Sequence, residues 1–312
     1  NPRGYSRCFT HHLSQNKMII FILLLNTTPF RAQRVEIINQ QGERIVHLSG
    51  NVEITQDTTE IICGEAQLNE TKGMVVLKKD VQIKDKAGKI QADTAVYFFK
   101  EHFSILKGSV KLLFENQVIA ADSLEYHGNR RFVEMFQNIV LEDMKNKIIA
   151  KGQKGWYDLN SEIGSLTSDA EIALSRNDKP PIVITAREFF LKTKENYCYG
   201  YDSVTALIDS IIIFCDTIAY DLKNGKGFMV HPRALEKKNE LKGISGEFVL
   251  KDNTISYFKV QSGIASYWTA DGTHNVVEGE NINILFREGR AFWVEITGNS
   301  RGKLYLKENV GD

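Results

Sequence analysis

Three aspartates recur at one position of a repeating pattern, and their carboxylates are the first groups to consider for chemistry. Asp93, Asp122 and Asp216 each follow a short apolar stretch and precede a tyrosine four residues later. Neighbouring carboxylates can act as acid and base or hold a metal ion. Catalysis needs a unique constellation, however, whereas a stacked turn needs the same residue in every unit. We therefore interpret the three aspartates as turn or ladder residues.

The histidines do not suggest a catalytic or metal site either. His47, His102, His127, His231 and His274 are scattered without H-x-x-x-H or mixed His/Cys/Asp spacing. The chain also lacks a G-x-S-x-G, Walker A or G-x-G-x-x-G motif. We predict that the protein is not an enzyme and has no cofactor and no metal site.

The cysteines downstream of residue 32 point to packing rather than reactivity. Cys63, Cys198 and Cys215 are odd in number and have no C-x-x-C spacing, which argues against a disulfide framework or a zinc site. A single Cys198–Cys215 disulfide is left open as an alternative. Cys63 and Cys215 occupy the repeat position of Ala92 and Ala121, so we expect small buried side chains there.

The overall charge argues against a nucleic-acid partner. The 312 residues contain 39 Lys+Arg and 39 Asp+Glu, with 42% hydrophobic residues, which is typical of a globular protein. Four of the basic residues and none of the acidic ones lie in residues 1–32, so the remaining chain has 35 basic and 39 acidic residues. A mildly acidic body lacks the clustered positive charge that binds phosphate backbones.

The first 32 residues have the pattern of a secretory signal peptide. Met18 to Leu25 form a short apolar run that follows Lys17 and ends before polar residues. A spanning helix needs about 20 apolar residues, so this run is too short for one. We expect export, with cleavage after Ala32 and residues 1–17 as an upstream artefact. A buried strand or a membrane anchor is the alternative.

A repeat of about thirty residues organises the rest of the chain. Val52, Val81, Val110 and Ile139 are each 29 residues apart, inside elements such as Gly50-Asn51-Val52-Glu53-Ile54. A second element recurs between them, and looser copies follow to the C-terminus. We count about eight units over residues 33–312. Units of this size cannot bury their apolar faces alone, so neighbours must stack into one elongated core.

Within each unit, apolar and charged residues alternate. This period of two is typical of half-buried antiparallel strands, and turn signals such as Lys223-Asn224-Gly225 separate the runs. We find no long helical period and predict an all-β chain of roughly twenty strands. The residues expected to face inward are Val52, Ile54, Val81, Ile83, Val110, Leu112, Ile139 and Leu141.

Two segments interrupt the repeat. Residues 175–181 contain Pro180 and Pro181, which cannot join a sheet interior, and residues 231–239 are charged and contain Pro232. We interpret both as loops on a continuous sheet. Two lobes with a seam near residues 175–181 are the alternative.

The repeated elements resemble those of the OstA-like family of lipopolysaccharide transport proteins, which includes the periplasmic bridge component LptA. The resemblance depends on Gly50–Ile54, on I-x-A-D-x-x-x-Y at Ile90–Tyr97 and Ile119–Tyr126, and on Gly279–Phe286 near the C-terminus. It covers about residues 45–305. The motifs are short, but their shared register makes the similarity specific.

The resemblance implies a twisted antiparallel β-jellyroll that shelters the acyl chains of lipopolysaccharide between the inner and outer membranes. It implies a periplasmic location, lipid A as ligand, and end-to-end strand pairing with other Lpt-type jellyrolls or with a second copy. The eight inward residues would line the lipid slot. Because the sequence shows neither an outer-membrane barrel nor a long anchor, a bridge role is favoured over those of LptD and LptC.

Two alternatives stay open. The first is a repetitive surface β-solenoid, either an adhesin or a polysaccharide-active enzyme. The second concerns the basic residues Arg233, Lys237, Lys238 and Lys242. We expect a solvated loop there, with contact to a lipid headgroup phosphate as the alternative.

Overall fold

The computed structural model describes most of the chain downstream of the leader. The described ranges are 29–40, 42–56, 59–84, 88–98, 100–114, 117–144, 147–158, 160–176, 179–269, 272–287 and 289–304. Nearly all of the predicted leader therefore lies outside the described residues. Phe30 and Arg31, which we assigned to the leader, pair with Ile54 and Glu53 in the sheet.

Twenty-two strands make up the described part of the chain, and the prediction of an all-β fold is confirmed. Many strands span 10 to 15 residues and are longer than the short runs read from the sequence. Their bounds are β1 Phe30–Arg31, β2 Arg34–Gln40, β3 Glu43–Gln56, β4 Thr59–Asn69, β5 Met74–Lys84, β6 Lys89–Phe98, β7 Phe103–Phe114, β8 Gln117–His127, β9 Phe132–Asp143, β10 Ile148–Asp158, β11 Ile163–Arg176, β12 Lys179–Lys192, β13 Tyr197–Ile208, β14 Ile211–Asp221, β15 Lys226–Val230, β16 Arg233–Glu236, β17 Asn239–Lys242, β18 Ser245–Lys251, β19 Thr254–Trp268, β20 His274–Arg287, β21 Arg290–Thr297 and β22 Arg301–Leu304.

The strands form one antiparallel sheet in which sequence neighbours are also spatial neighbours. From β3 to β14 each strand pairs with the strands before and after it. Beyond β14 the sheet divides into two branches. One branch continues through β15 and β18, and the other continues through β16 and β17. Both branches rejoin at β19. All these pairs are antiparallel, which contradicts a parallel β-solenoid in the described chain.

Alternate long strands bend at a pair of residues with left-handed backbone conformation. Gly50 and Asn51 have φ values of 76° and 46° in β3, and Lys79 and Asp80 have 67° and 53° in β5. The pairing register shifts at the same points, between Ser49 and Val52 in β3. Such bulges bend a strand and increase its twist. The leading pair of each sequence repeat is therefore a bend within a strand.

The aligned bends divide the sheet into two layers. Layer 1 contains β1, β16, β17 and β22, and layer 2 contains β2, β15, β18 and β21. The long strands each contribute one half to layer 1 and the other half to layer 2. The layers face each other across one apolar core. This arrangement agrees with the predicted jellyroll.

Sheet pairing continues through the segment around the two prolines. Arg176 of β11 pairs with Lys179 of β12, and β12 pairs with β13 from Val183 onward. Pro180 and Pro181 lie at the exposed start of β12, before the pairing with β13 begins, where their missing N–H costs little. The described residues of this segment thus belong to two paired strands. The two-lobe alternative stays a prediction.

Among the residues that the structure describes, no helix is long and apolar enough to cross a membrane.

Candidate functional site

The space between the two layers is the candidate site, and alternate residues along each strand point into it. In layer 1, Val52 is 0%, Val81 1% and Val110 1% exposed. Leu77 lies in the layer 2 half of β5, the strand that contains Val81, and Leu106 lies in the layer 2 half of β7, the strand that contains Val110. Both leucines are also buried. Apolar side chains from both layers therefore meet along the molecule.

All eight residues predicted to face inward belong to this interior. Seven of them are buried, and Leu141 is half-buried and packs against the same core. The outward neighbours Gln82 and Lys111 are more exposed. The predicted alternation of faces is correct at these positions, and contact with lipid stays a prediction.

The interior is closely packed. A cavity of about 20 Å³ lies in the C-terminal part, between Ile182 and Ile208 of layer 1 and Phe248 and Leu250 of layer 2. This is about the space that one water molecule needs. Acyl chains would therefore have to separate the layers rather than fill an existing channel.

The apolar inner face is uncovered at both ends of the described sheet. Val35 and Ile37 of β2 share a face with Leu48 and Val46, yet they are 45% and 56% exposed. At the other end, Val294 of β21 lies opposite Ile284 and is also exposed. Within the described chain, β2 and β21 each pair with a strand on one side only.

The N-terminal part of this sheet matches the model of a known protein family. Residues 31–132 match the family model described as LptA/(LptD N-terminal domain) LPS transport protein. Residues 31–132 are similar to this family, and we refer to them as the LptA/LptD N-terminal segment. It contains β2 to β8 and the first three bends. The match covers about a third of the chain.

A solved structure of LptH, the LptA homologous periplasmic component of the conserved lipopolysaccharide transport device from Pseudomonas aeruginosa, aligns over 35% of this chain and 82% of that chain. The sequences are 18% identical over this alignment, and the TM-score is 0.32. No curated protein matches the sequence.

The repeated aspartates join neighbouring bends, in the LptA/LptD N-terminal segment and beyond it. Asn138, at the bend of β9, donates a hydrogen bond from Nδ2 to Asp122 at 2.8 Å. His231 Nδ1 lies 2.7 Å from Asp216 where β15 ends. Asp122 and Asp216 thus each contact the next bend through a side-chain hydrogen bond. The interpretation as ladder residues is confirmed at these two positions.

The described part of the chain contains three free, buried thiols, those of Cys63, Cys198 and Cys215. Cys198 is opposite Tyr220, which is five residues along β14 from Cys215. At about 3.3 Å per residue this is roughly 16 Å, beyond the reach of a disulfide. The Cys198–Cys215 alternative is therefore wrong. Burial raises the pKa of Cys63 to about 11 and the pKa values of Cys198 and Cys215 to about 12, so these thiols are unreactive near neutral pH.

Sequence reasoning missed one cluster on the outer face, at the end of the LptA/LptD N-terminal segment. The cluster contains Glu125, His127 and Glu134, which are half-buried. Each residue has one side-chain nitrogen or oxygen atom that could bind a metal ion, and these three atoms lie within 4.8 Å of one another. His127 Nε2 is 3.3 Å from Glu134, and the two glutamates face each other across β8 and β9. The available signal was E-x-H before a four-residue turn.

Two of the basic residues near the second interruption, Arg233 and Lys242, border a surface depression of about 350 Å³. Arg233 donates to Glu240 at 2.6 Å, and Lys238 lies over the Trp268 ring, 5.3 Å from its centroid. These partners support the interpretation as a solvated surface for Arg233 and Lys238.

Proposed function

We propose that the protein is a periplasmic lipopolysaccharide transport bridge that shelters acyl chains between its two layers. The observation that carries the proposal is the apolar interior, which runs from the exposed inner face of β2 to that of β21. The LptA/LptD N-terminal segment forms the first part of this interior.

The physical reason for such a carrier is the cost of apolar surface in water. Exposed hydrocarbon costs about 25 cal/mol per Å², so a lipid with several acyl chains cannot cross an aqueous space unshielded. Separating the layers exposes apolar protein surface, and acyl chains between them cover it again. Lipid contacts thus replace contacts between the layers, and the transfer requires no covalent chemistry. A cofactor or a catalytic group has no role in this function.

The uncovered ends suggest how copies connect. An unpaired strand presents N–H and C=O groups to which another strand can add. Pairing between β2 of one jellyroll and β21 of the next would bring Val35 and Ile37 beside Val294, and the apolar interior would continue across the join. We propose that the partners are other Lpt-type jellyrolls or a second copy of this chain.

The direct test is the lipid that the protein carries from its envelope. We expect mass spectrometry of the purified, undenatured protein to detect lipid A species in near-stoichiometric amounts. The control is the same protein denatured, delipidated, refolded and mixed with a lipid-free envelope extract. Absence of lipid A from the native preparation, together with unchanged surface lipopolysaccharide after depletion of the protein, would overturn the proposal.

A further inference from the structure

We propose that acyl chains enter the interior through a mouth in its C-terminal half, and that polar contacts across this mouth must first open. On the layer 1 side, the mouth is bordered by two tips, by which we mean the paired ends of β11 and β12 and the paired ends of β13 and β14. On the layer 2 side, it is bordered by the β18–β19 and β20–β21 tips. This inference rests on the proposed function, because it concerns how the same interior is reached.

A hydrogen bond joins the two sides of the mouth. Asn253, in the β18–β19 turn of layer 2, donates from Nδ2 to the carbonyl oxygen of Ser175 in layer 1 at 2.9 Å. The two residues are 78 positions apart in the sequence. Their layers are otherwise connected through the bends at the opposite edge. This bond therefore closes the side from which the layers could separate.

The second tip of layer 2 touches the same part of layer 1. Gly289, in the β20–β21 turn, has a φ of 79°. A Cβ atom at this position would lie 3.4 Å from Asp209 Oδ2 and 3.7 Å from Lys179 Nζ. The backbone of this turn thus lies directly against the tips of β11–β12 and β13–β14.

A buried arginine fixes the layer 1 side. The Arg176 side chain is 1% exposed. Its two terminal nitrogens donate to the Asp209 carboxylate at 3.2 and 2.9 Å, and Nε donates to the carbonyl oxygen of Pro180 at 2.6 Å. A buried guanidinium is tolerated when it is paired in this way. Arg176 therefore connects the two layer 1 tips that border the mouth.

The cavity lies directly behind these contacts. Leu174, which precedes Ser175, lines the cavity from layer 1. Leu250 and Ile255, on either side of the β18–β19 turn, line it from layer 2. Moving the Asn253 turn away from Ser175 would expose this apolar lining, to which acyl chains could bind. The mouth and the one-water cavity are thus parts of a single closed route to the interior.

A reversible cross-link across the mouth tests the inference. Ser175→Cys and Asn253→Cys are introduced together into a full chain in which its native cysteines are replaced by alanine. A short bifunctional methanethiosulfonate joins the pair, and a reductant releases it. The measured quantity is the rate at which delipidated protein takes up purified lipopolysaccharide. We expect the cross-link to slow uptake at least tenfold and reduction to restore it.

A matched cross-link within one layer serves as the control. Asn160 Nδ2 donates to the carbonyl oxygen of Arg130 at 2.9 Å, which is the same kind of contact at the same length. It joins two neighbouring tips of layer 2, so it does not cross the mouth. Cross-linking an Arg130→Cys, Asn160→Cys pair should leave the uptake rate within twofold of that of the reduced protein.

A second variant opens the mouth instead of closing it. Asn253 has a φ of 53°, so Asn253→Gly removes the side chain and keeps a backbone conformation that glycine readily adopts. Loss of one hydrogen bond should speed uptake about fivefold.

The possible outcomes distinguish the two proposals. If the cross-linked and the reduced Ser175→Cys, Asn253→Cys protein take up lipopolysaccharide at the same rate, the proposal that acyl chains enter through this mouth is wrong. The proposed function is then unaffected. Failure of the unmodified protein to take up lipopolysaccharide overturns the proposed function, and the mouth with it. If the control cross-link between positions 130 and 160 slows uptake as much as the cross-link between positions 175 and 253, the cross-links act by stiffening the protein in general. The proposal about the mouth is then also wrong.

Discussion

Replacing Val110 with Asp is expected to destabilise the protein by about 4 kcal/mol or more, because it places an unpaired carboxylate in the apolar interior. Val110 is 1% exposed and faces the opposite layer. The midpoint of urea unfolding, followed by circular dichroism, should fall sharply, or the variant should fail to fold.

The neighbouring residue supplies the matched control. Lys111 points outward, is exposed and lies opposite Ala120 in β8. Lys111→Asp should change the free energy of unfolding by less than about 0.5 kcal/mol. If both variants unfold at the urea concentration of the parent, the assignment of inner and outer faces is wrong.

The substitution Ile37→Lys is expected to weaken the end-to-end association of copies at least tenfold. Ile37 lies on the inner face of β2 and is 56% exposed, so the substitution costs the isolated chain little. At a join, the ammonium group would enter the continued apolar interior without a partner. Tenfold corresponds to about 1.4 kcal/mol. Sedimentation velocity over a concentration series measures the change.

Ile38 offers the control for this prediction. It is the next residue of the same strand, is 39% exposed and lies on the outer face opposite Ile45. Ile38→Lys should reduce association less than threefold. Equal effects of the two substitutions, or a parent protein that stays monomeric at high concentration, would contradict end-to-end pairing between copies.

The alternation of residue types predicted the inner face well because burial imposes a period of two on every strand. Val52, Val81, Val110 and Ile139 are nearly inaccessible, as their 29-residue spacing suggested. The same reasoning could not show the bends that precede them. Lys79 and Gln137 have φ values of 67° and 63°, and side chains of this kind seldom adopt a left-handed conformation. The two-layer arrangement follows from those bends, so the alternation of residue types alone did not show it.

Contacts between distant residues were also beyond sequence reasoning. The composition of residues 175–181 predicts an interruption, yet within this segment Arg176 is held by Asp209, and Ser175 accepts a hydrogen bond from Asn253. Single residues of these types are common at turns, and nothing local shows which of them meet. Only the pairing of the whole sheet brings the tips together.

Photo-cross-linking during transport tests the central claim most directly. An aliphatic diazirine side chain is placed at Val81 or Val110 on the inner face, and at Gln82 or Lys111 as the outward neighbours. After illumination of intact cells, the account predicts lipopolysaccharide adducts at the two inner positions and none at the two outer ones. Adducts at all four positions, or at none of them in protein shown to be folded, would contradict the claim that acyl chains travel between the layers.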